Sequence, residues 1–376
     1  HPDAGDHRLV GGATETVSWG SAEFVAAEEM GRNRGHWWSP DGEQILAARV
    51  DTVGVEEWWI ASPVEPGSRP RPIRYPSAGT TNAEVVLALV ALDGTTTDVD
   101  WGGGPGGDFE YLAGVRWVAG EPLTLTVQTR DQRTLAVLTV DQVTGVVTEY
   151  YRVTDDNWVE LVPGSPRWWE GSLLTVEDRG GTRRLVVDGE PLSPDGLQIR
   201  SVQGIHDYGV LVSASTDPVD VDVIRVERGG SVEVISGGGG VCSAVEGGGT
   251  LAVSRSDLDG ISLEVSGHLV SSLAEQPLVT PTPDFHVVGE RDVRSAVLFP
   301  SDHDGSPLPV LVDPYGGPHA QRVQRARSQF LTSQWFADRG FAVVVADGRG
   351  TPGRGPVWER AVSGDLAGPV LDDQVD

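Results

Sequence analysis

The chain has 376 residues, long enough for two or more domains with sizeable cores. Its 55 acidic and 28 basic residues leave a formal net charge of −27, which repels nucleic-acid phosphates and favours solubility. One cysteine, Cys242, excludes an intrachain disulfide and points to a reducing compartment, so a cytoplasmic location is expected. Without an apolar run of about eighteen residues, no transmembrane segment is expected.

From residue 17 to about 294, short β-rich runs alternate with Gly, Pro, Asp and Ser turns, the layout of a sandwich, barrel or propeller. A recurring unit decides between them. Trp37-Trp38-Ser39-Pro40-Asp41-Gly42 leads into a strand-like run at Gln44, Val115 to Val118 into one at Leu123, and Arg167-Trp168-Trp169 into one at Leu173. Fainter copies begin at Gly209 and Gly249. The later copies repeat at about 40 to 50 residues, the period of propeller blades, so five to six blades are expected. A four-stranded blade cannot bury both faces alone, and the tryptophans are expected to fill the space between blades.

Residues 22–30 break this pattern with helix-like composition and contain Glu28-Glu29. Residues 60–75, rich in Pro, Arg and Ser, are expected to form a long connection. The glycine runs at 102–107 and 237–240 lack the strand-to-helix context and the Lys-Ser or Lys-Thr of a phosphate loop, and read as inter-strand loops. The eight histidines show no H-x-x-x-H or H-E-x-x-H spacing, so no metal site is expected. Cys242 reads as a small buried residue. Three prolines between 275 and 284 mark a hinge.

The last stretch changes period. Pro309 to Asp313 reads as a buried strand delivering the turn cluster Pro314-Tyr315-Gly316-Gly317-Pro318. Residues 320–339 carry apolar positions at helical spacing and end at Gly340, a C-cap glycine. Residues 341–346 form a β-branched run read as a strand buried on both faces. Strand, loop, helix, strand is a crossover opening a parallel sheet, and its loop lies where such sheets place ligands.

Several blocks together resemble a known family. "PVLVDPYGGPHAQ", "FADRGFAVVVADGRGTPGRG" and "AVSGDLAGPVLDDQVD" look like the opening of the α/β-hydrolase domain of the prolyl oligopeptidase family of serine peptidases, most closely its dipeptidyl peptidase IV branch. Residues 24–42 and 73–94 resemble that branch's β-propeller. The resemblance implies a mainly β chain, with a partial eight-bladed-type propeller over 1–278 and the beginning of an α/β-hydrolase domain over 279–376. "AEEMGRNRGHWWSPDG" is similar to the branch's double-glutamate motif, in which Glu28 and Glu29 would accept the free α-ammonium group of a peptide. Arg32 and Arg34 are near enough in sequence to orient them. Tyr315 matches the tyrosine that donates to the oxyanion of the tetrahedral intermediate. His319 and Arg349 are expected to shape the loop, and Asp347 to brace the Asp-Gly-Arg-Gly turn.

No serine in the chain lies in G-x-S-x-G, so the Ser/Asp/His triad is absent. The chain is therefore expected to be a piece cut at both ends, inactive by itself. The parent implied is a serine-type exopeptidase removing dipeptides with Pro or Ala second. It would act on peptides with a free amino terminus, need no cofactor and have the option of homodimerising. The alternatives are a prolyl tripeptidyl peptidase and a non-catalytic propeller binding peptide amino termini.

Overall fold

A computed structural model describes residues 7–12, 14–103 and 107–375. Positions 104–106 of the glycine run at 102–107 lie outside them. The chain forms two compact units, His1–Leu161 and Val162–Asp376.

In the first unit, the strands Val17–Ser21, Arg34–Trp38, Gln44–Asp51, Glu84–Ala91 and Thr96–Val99 make one antiparallel sheet in that order. A second sheet runs through Tyr111–Arg116, Leu123–Gln128, Thr134–Val140 and Val147–Thr154, each strand pairing with the one before it. Alternation places Trp37 inside and leaves Trp38 half exposed. The core between the sheets buries Leu46 and Leu87 from one and Leu112, Leu123 and Leu125 from the other, all at 0% exposure. Truncating any of these to Ala costs about 2–5 kcal/mol, so this packing fixes the register of both sheets. The long connection at 60–75 contains structure of its own: Glu57–Ile60 pairs with Arg71–Arg74 as an exposed two-stranded hairpin.

The second unit contains three further four-stranded antiparallel meanders, beginning at Arg167, Gln198 and Val241. The turn-to-strand copies read in the sequence all fall at the strand after a hairpin turn: Gln44–Asp51, Leu123–Gln128, Ser172–Arg179, Gly209–Ser215 and Thr250–Ser256. Cys242 is buried on the strand Val241–Gly247, and burial pushes its thiol pKa up, as suits a packing residue.

Residues 271–283 have no regular secondary structure and lead to a mixed sheet, ordered Asp284–Val288, Val293–Leu298, Ala342–Asp347, Val310–Tyr315. Its last pair is parallel, Tyr315 lying opposite Asp347. Two expectations change here. Among the described residues the strand Val310–Tyr315 pairs on one side only, with Ala342–Asp347, and its Val310 and Val312 are exposed. The helix following it is shorter than residues 320–339, spanning only Arg327–Ala337. Backbone N–H groups that an earlier start would need are spent elsewhere: Arg322 and Val323 donate to the Asp347 carboxylate and Arg325 donates to the Val219 carbonyl. Gly340 follows the helix at φ +96°, a conformation suited to glycine.

Candidate active site

The first cluster sits on helix α1, Phe24–Glu29, six residues rich in good helix formers. So short a helix is marginal alone, and its neighbours hold it. Glu23, immediately before it, is buried and receives Arg32 Nη2 at 2.6 Å. Arg32 also donates through Nε to the Leu112 carbonyl at 2.8 Å and through Nη1 to that of Arg34 at 3.0 Å, and its guanidinium lies 6.0 Å from the Trp37 ring. Both partners are about 5% exposed, so Arg32 anchors the helix and does not orient Glu28 or Glu29. Arg34 is exposed.

On the other side, Phe24 meets Tyr75 edge to face at 5.1 Å, and Tyr75 meets Trp58 of the hairpin in the same manner at 5.4 Å. Glu28 and Glu29 stand exposed in the last turn, which has no basic residue. Among the described residues neither carboxylate has an ion pair or side-chain hydrogen bond. Two negative charges at the negative end of a helix oppose its dipole, and a cation arriving there relieves both terms.

The second cluster lies in the second unit, around Tyr315. Its carbonyl accepts from Gly348 N at 3.2 Å, and the chain then makes the loop 316–321. Gly316 and Gly317 are needed for close approach: a Cβ at 316 would lie 2.4 Å from Val370, and Gly317 (φ +140°) packs its backbone on Gly350. The Tyr315 hydroxyl lies 3.9 Å from where a Cβ at 317 would stand. Among the described residues that hydroxyl has no hydrogen-bond partner. His319 is exposed and likewise unbonded, so it does not tie the loop.

Three buried groups hold this loop, and the sequence reading assigned none of them that role. Asp347 braces the return of the loop, not the turn after it: its carboxylate accepts Arg322 N at 2.9 Å and Val323 N at 2.8 Å. Burial pushes its pKa up to about 6 against those two donors. Arg200, from the strand Gln198–His206, donates Nη2 to Gln321 Oε1 at 3.0 Å and Nε to Ser215 Oγ at 3.0 Å. Burial lowers its pKa to about 10, so it remains charged at neutral pH. Gln321 Nε2 completes the link to the Pro218 carbonyl at 2.5 Å. No local signal could have found Arg200, since its partner is 121 residues away.

Arg349 has a structural role, but at the turn after Asp347 and not in the loop it is expected to shape. It donates N and Nε to the fully buried Asp373 carboxylate at 2.6 and 3.0 Å, fastening helix Gly368–Val375 to the turn after Asp347. No group of His, Cys, Asp or Glu able to hold a metal occurs among the described residues, and no helix there is long and apolar enough to cross a membrane.

Residues 2–190 match the family model of the dipeptidyl peptidase IV (DPP IV) N-terminal region, half of the chain, and residues 327–376 match that of the prolyl oligopeptidase family. This chain belongs to the dipeptidyl peptidase IV branch of the prolyl oligopeptidase family. Within that branch it is 24% identical over 402 residues to a protein of Emericella nidulans named "Probable dipeptidyl-aminopeptidase B", covering 90% of this chain and 44% of the relative. It is 29% identical over 189 residues to the inactive dipeptidyl peptidase 10 of Rattus norvegicus, covering 47% of this chain and 23% of the relative. The fold is similar to the crystal structure of Porphyromonas gingivalis dipeptidyl peptidase 4, with a TM-score of 0.80 and 19% identity, over 93% of this chain and 54% of that one. The chain thus spans less than half the length of these two sequence relatives. Both site clusters fall in a mainly β, dipeptidyl-peptidase-like fold.

Proposed function

We propose that this chain supplies the amino-terminus recognition and oxyanion groups of a serine-type exopeptidase that releases dipeptides with Pro or Ala in second position. The observation that carries this is the pair Glu28 and Glu29: two uncompensated carboxylates on a helix braced from both sides, in a chain of this family. An α-ammonium group offers three donors and one positive charge, matching four carboxylate oxygens at the negative end of a helix. A peptide held by its amino terminus presents one fixed bond to the nucleophile, which makes the cut exopeptidic.

In this reading the five antiparallel sheets of four or five strands are blades of an eight-bladed-type propeller, and the mixed sheet opens an α/β-hydrolase domain, with the boundary near 278. Tyr315, at the end of a parallel strand, donates its unbonded hydroxyl to the oxygen that gains charge when the acyl carbon becomes tetrahedral. The nucleophile comes from a G-x-S-x-G elbow that none of the 376 residues provides. The family relation and the names of the relatives support the dipeptidyl activity.

The test uses an enzyme carrying this chain together with the elbow. Glu28→Gln and Glu29→Gln keep size and remove charge, and each is expected to weaken use of a free-amine Xaa-Pro substrate by about 2–5 kcal/mol. The N-acetylated peptide is expected to be a poor substrate already and to be little affected by either change. If both variants cleave the free-amine peptide normally, the pair is a solvated helix face and the reading fails.

A further inference from the structure

The loop that follows Tyr315 is closed at its stem by Asp347. Asp347 pairs with Tyr315 through the backbone where the strands run parallel, and its side chain captures the chain again at Arg322 and Val323. Residues 316–321 are therefore a six-residue excursion beginning and ending on Asp347. Arg322 turns its guanidinium to Asp313 at 2.7 and 3.1 Å, which fixes its side chain but leaves its N–H to Asp347.

The last residue of the excursion is held from a different sheet. Arg200 reaches Gln321 from the strand Gln198–His206 and is packed so closely that a Cβ on Gly353 would lie 1.9 Å from its Nη2. The Tyr315 hydroxyl lies beside Gly317, inside this excursion, 3.9 Å from where a Cβ there would stand, so moving the loop changes the surroundings of the hydroxyl.

We propose that Asp347 is the positioning residue of Tyr315, closing the 316–321 loop so that the hydroxyl is held at one point, with Arg200 as a second clamp acting through Gln321. This rests on the reading of Tyr315 as the oxyanion donor for its catalytic meaning, but the placement itself does not. A carboxylate suits the task because it accepts two converging N–H groups at once. The carboxamide of Asn has one acceptor oxygen and an NH2 that repels the second donor.

The experiment labels the full chain with 3-fluorotyrosine, giving six tyrosine resonances, and assigns that of Tyr315 with Tyr315→Phe. Asp347→Asn is expected to shift or broaden the Tyr315 resonance while the other five hold. Exchange of the Arg322 and Val323 amides should accelerate roughly ten-fold, as one lost hydrogen bond implies. Arg200→Gln should move the same resonance. Val345→Ala, a cavity on the same strand, should leave it in place although it lowers stability.

An unchanged Tyr315 resonance in folded Asp347→Asn overturns the proposal. If Asp347→Asn does not fold, Arg200→Gln and the unsubstituted chain decide: Arg322 and Val323 amides exchanging as fast as those of exposed loops also overturn it. In an enzyme carrying the elbow, Asp347→Asn should lower kcat with KM unchanged. A displaced Tyr315 signal with unchanged kcat would leave the positioning intact and remove Tyr315 from the oxyanion role.

Discussion

Tyr315 and Asp347 face each other across a parallel strand pair, one with a hydroxyl that bonds to nothing among the described residues and the other with a carboxylate under load. If the hydroxyl acts on the transition state alone, Tyr315→Phe lowers kcat by roughly 10²–10³ with KM nearly unchanged. Steady-state kinetics on an enzyme carrying the elbow check this, and a pure KM effect would place the tyrosine in ground-state binding. Asp347 carries a stability consequence of opposite sign to the usual paired carboxylate. Its pKa is raised to about 6 from 3.8, so between those values the folded chain binds the extra proton and stability falls as pH rises. The stability of the wild type relative to Asp347→Asn is expected to drop by about 3 kcal/mol between pH 3.8 and pH 6, then level off. Denaturant titrations of both proteins across this range measure it; a flat difference would mean the carboxylate is no harder to ionise folded than unfolded.

Helix α1 is an element too short to stand by propensity, and its orientation comes from the groups at its entry. Glu23 and Arg32 form a buried pair, and leaving one member charged without the other costs about 3–5 kcal/mol. Glu23→Gln is therefore expected to lower the unfolding free energy by about that amount, whereas Glu23→Leu with Arg32→Met should recover most of it. Recovery of stability in the double variant without recovery of peptide binding would show that the pair serves orientation as well as folding. The aromatic contacts Phe24–Tyr75–Trp58 connect the same helix to the hairpin Glu57–Ile60/Arg71–Arg74, so the hairpin root is part of the brace. In the second unit the matching device is the pair of clamps on the loop at 316–321. Each cluster is thus a short element, one a helix and the other a loop, braced by arginine or aspartate.

At the scale of the molecule, the chain combines a run of antiparallel meanders with a mixed sheet, and its 55 acidic against 28 basic residues leave a net charge of −27. In the proposed reading the chemistry it holds is recognition and oxyanion stabilisation; a nucleophile in an elbow is not among its 376 residues. Purified as these residues alone, it is expected to show no turnover of a Gly-Pro chromogenic substrate, because the acyl-enzyme route needs that serine. Hydrolysis above a blank preparation would place the nucleophile at a residue outside the family pattern.

Much of this was legible in the sequence wherever the signal is local. The turn-to-strand copies at Gln44, Leu123, Leu173, Gly209 and Gly249, the helix carrying Glu28 and Glu29, and a strand leading to Tyr315 all follow from period, turn residues and propensity within about ten positions, although that strand runs two residues further than the expected end at Asp313. The sequence also placed Gly340 after its helix, since only the local backbone decides that position. What needed the tertiary structure is the identity of every buried polar partner. Arg32 is near Glu28 in sequence yet bonds Glu23 and Leu112, and Arg200 meets Gln321 across 121 residues. Asp347 holds Arg322 and Val323, which shortened the expected helix, and among the described residues Val310–Tyr315 pairs only with Ala342–Asp347. Periodicity records which face of an element is apolar. It does not record which distant chain segment supplies a donor to a buried carboxylate, because that depends on how separate sheets pack.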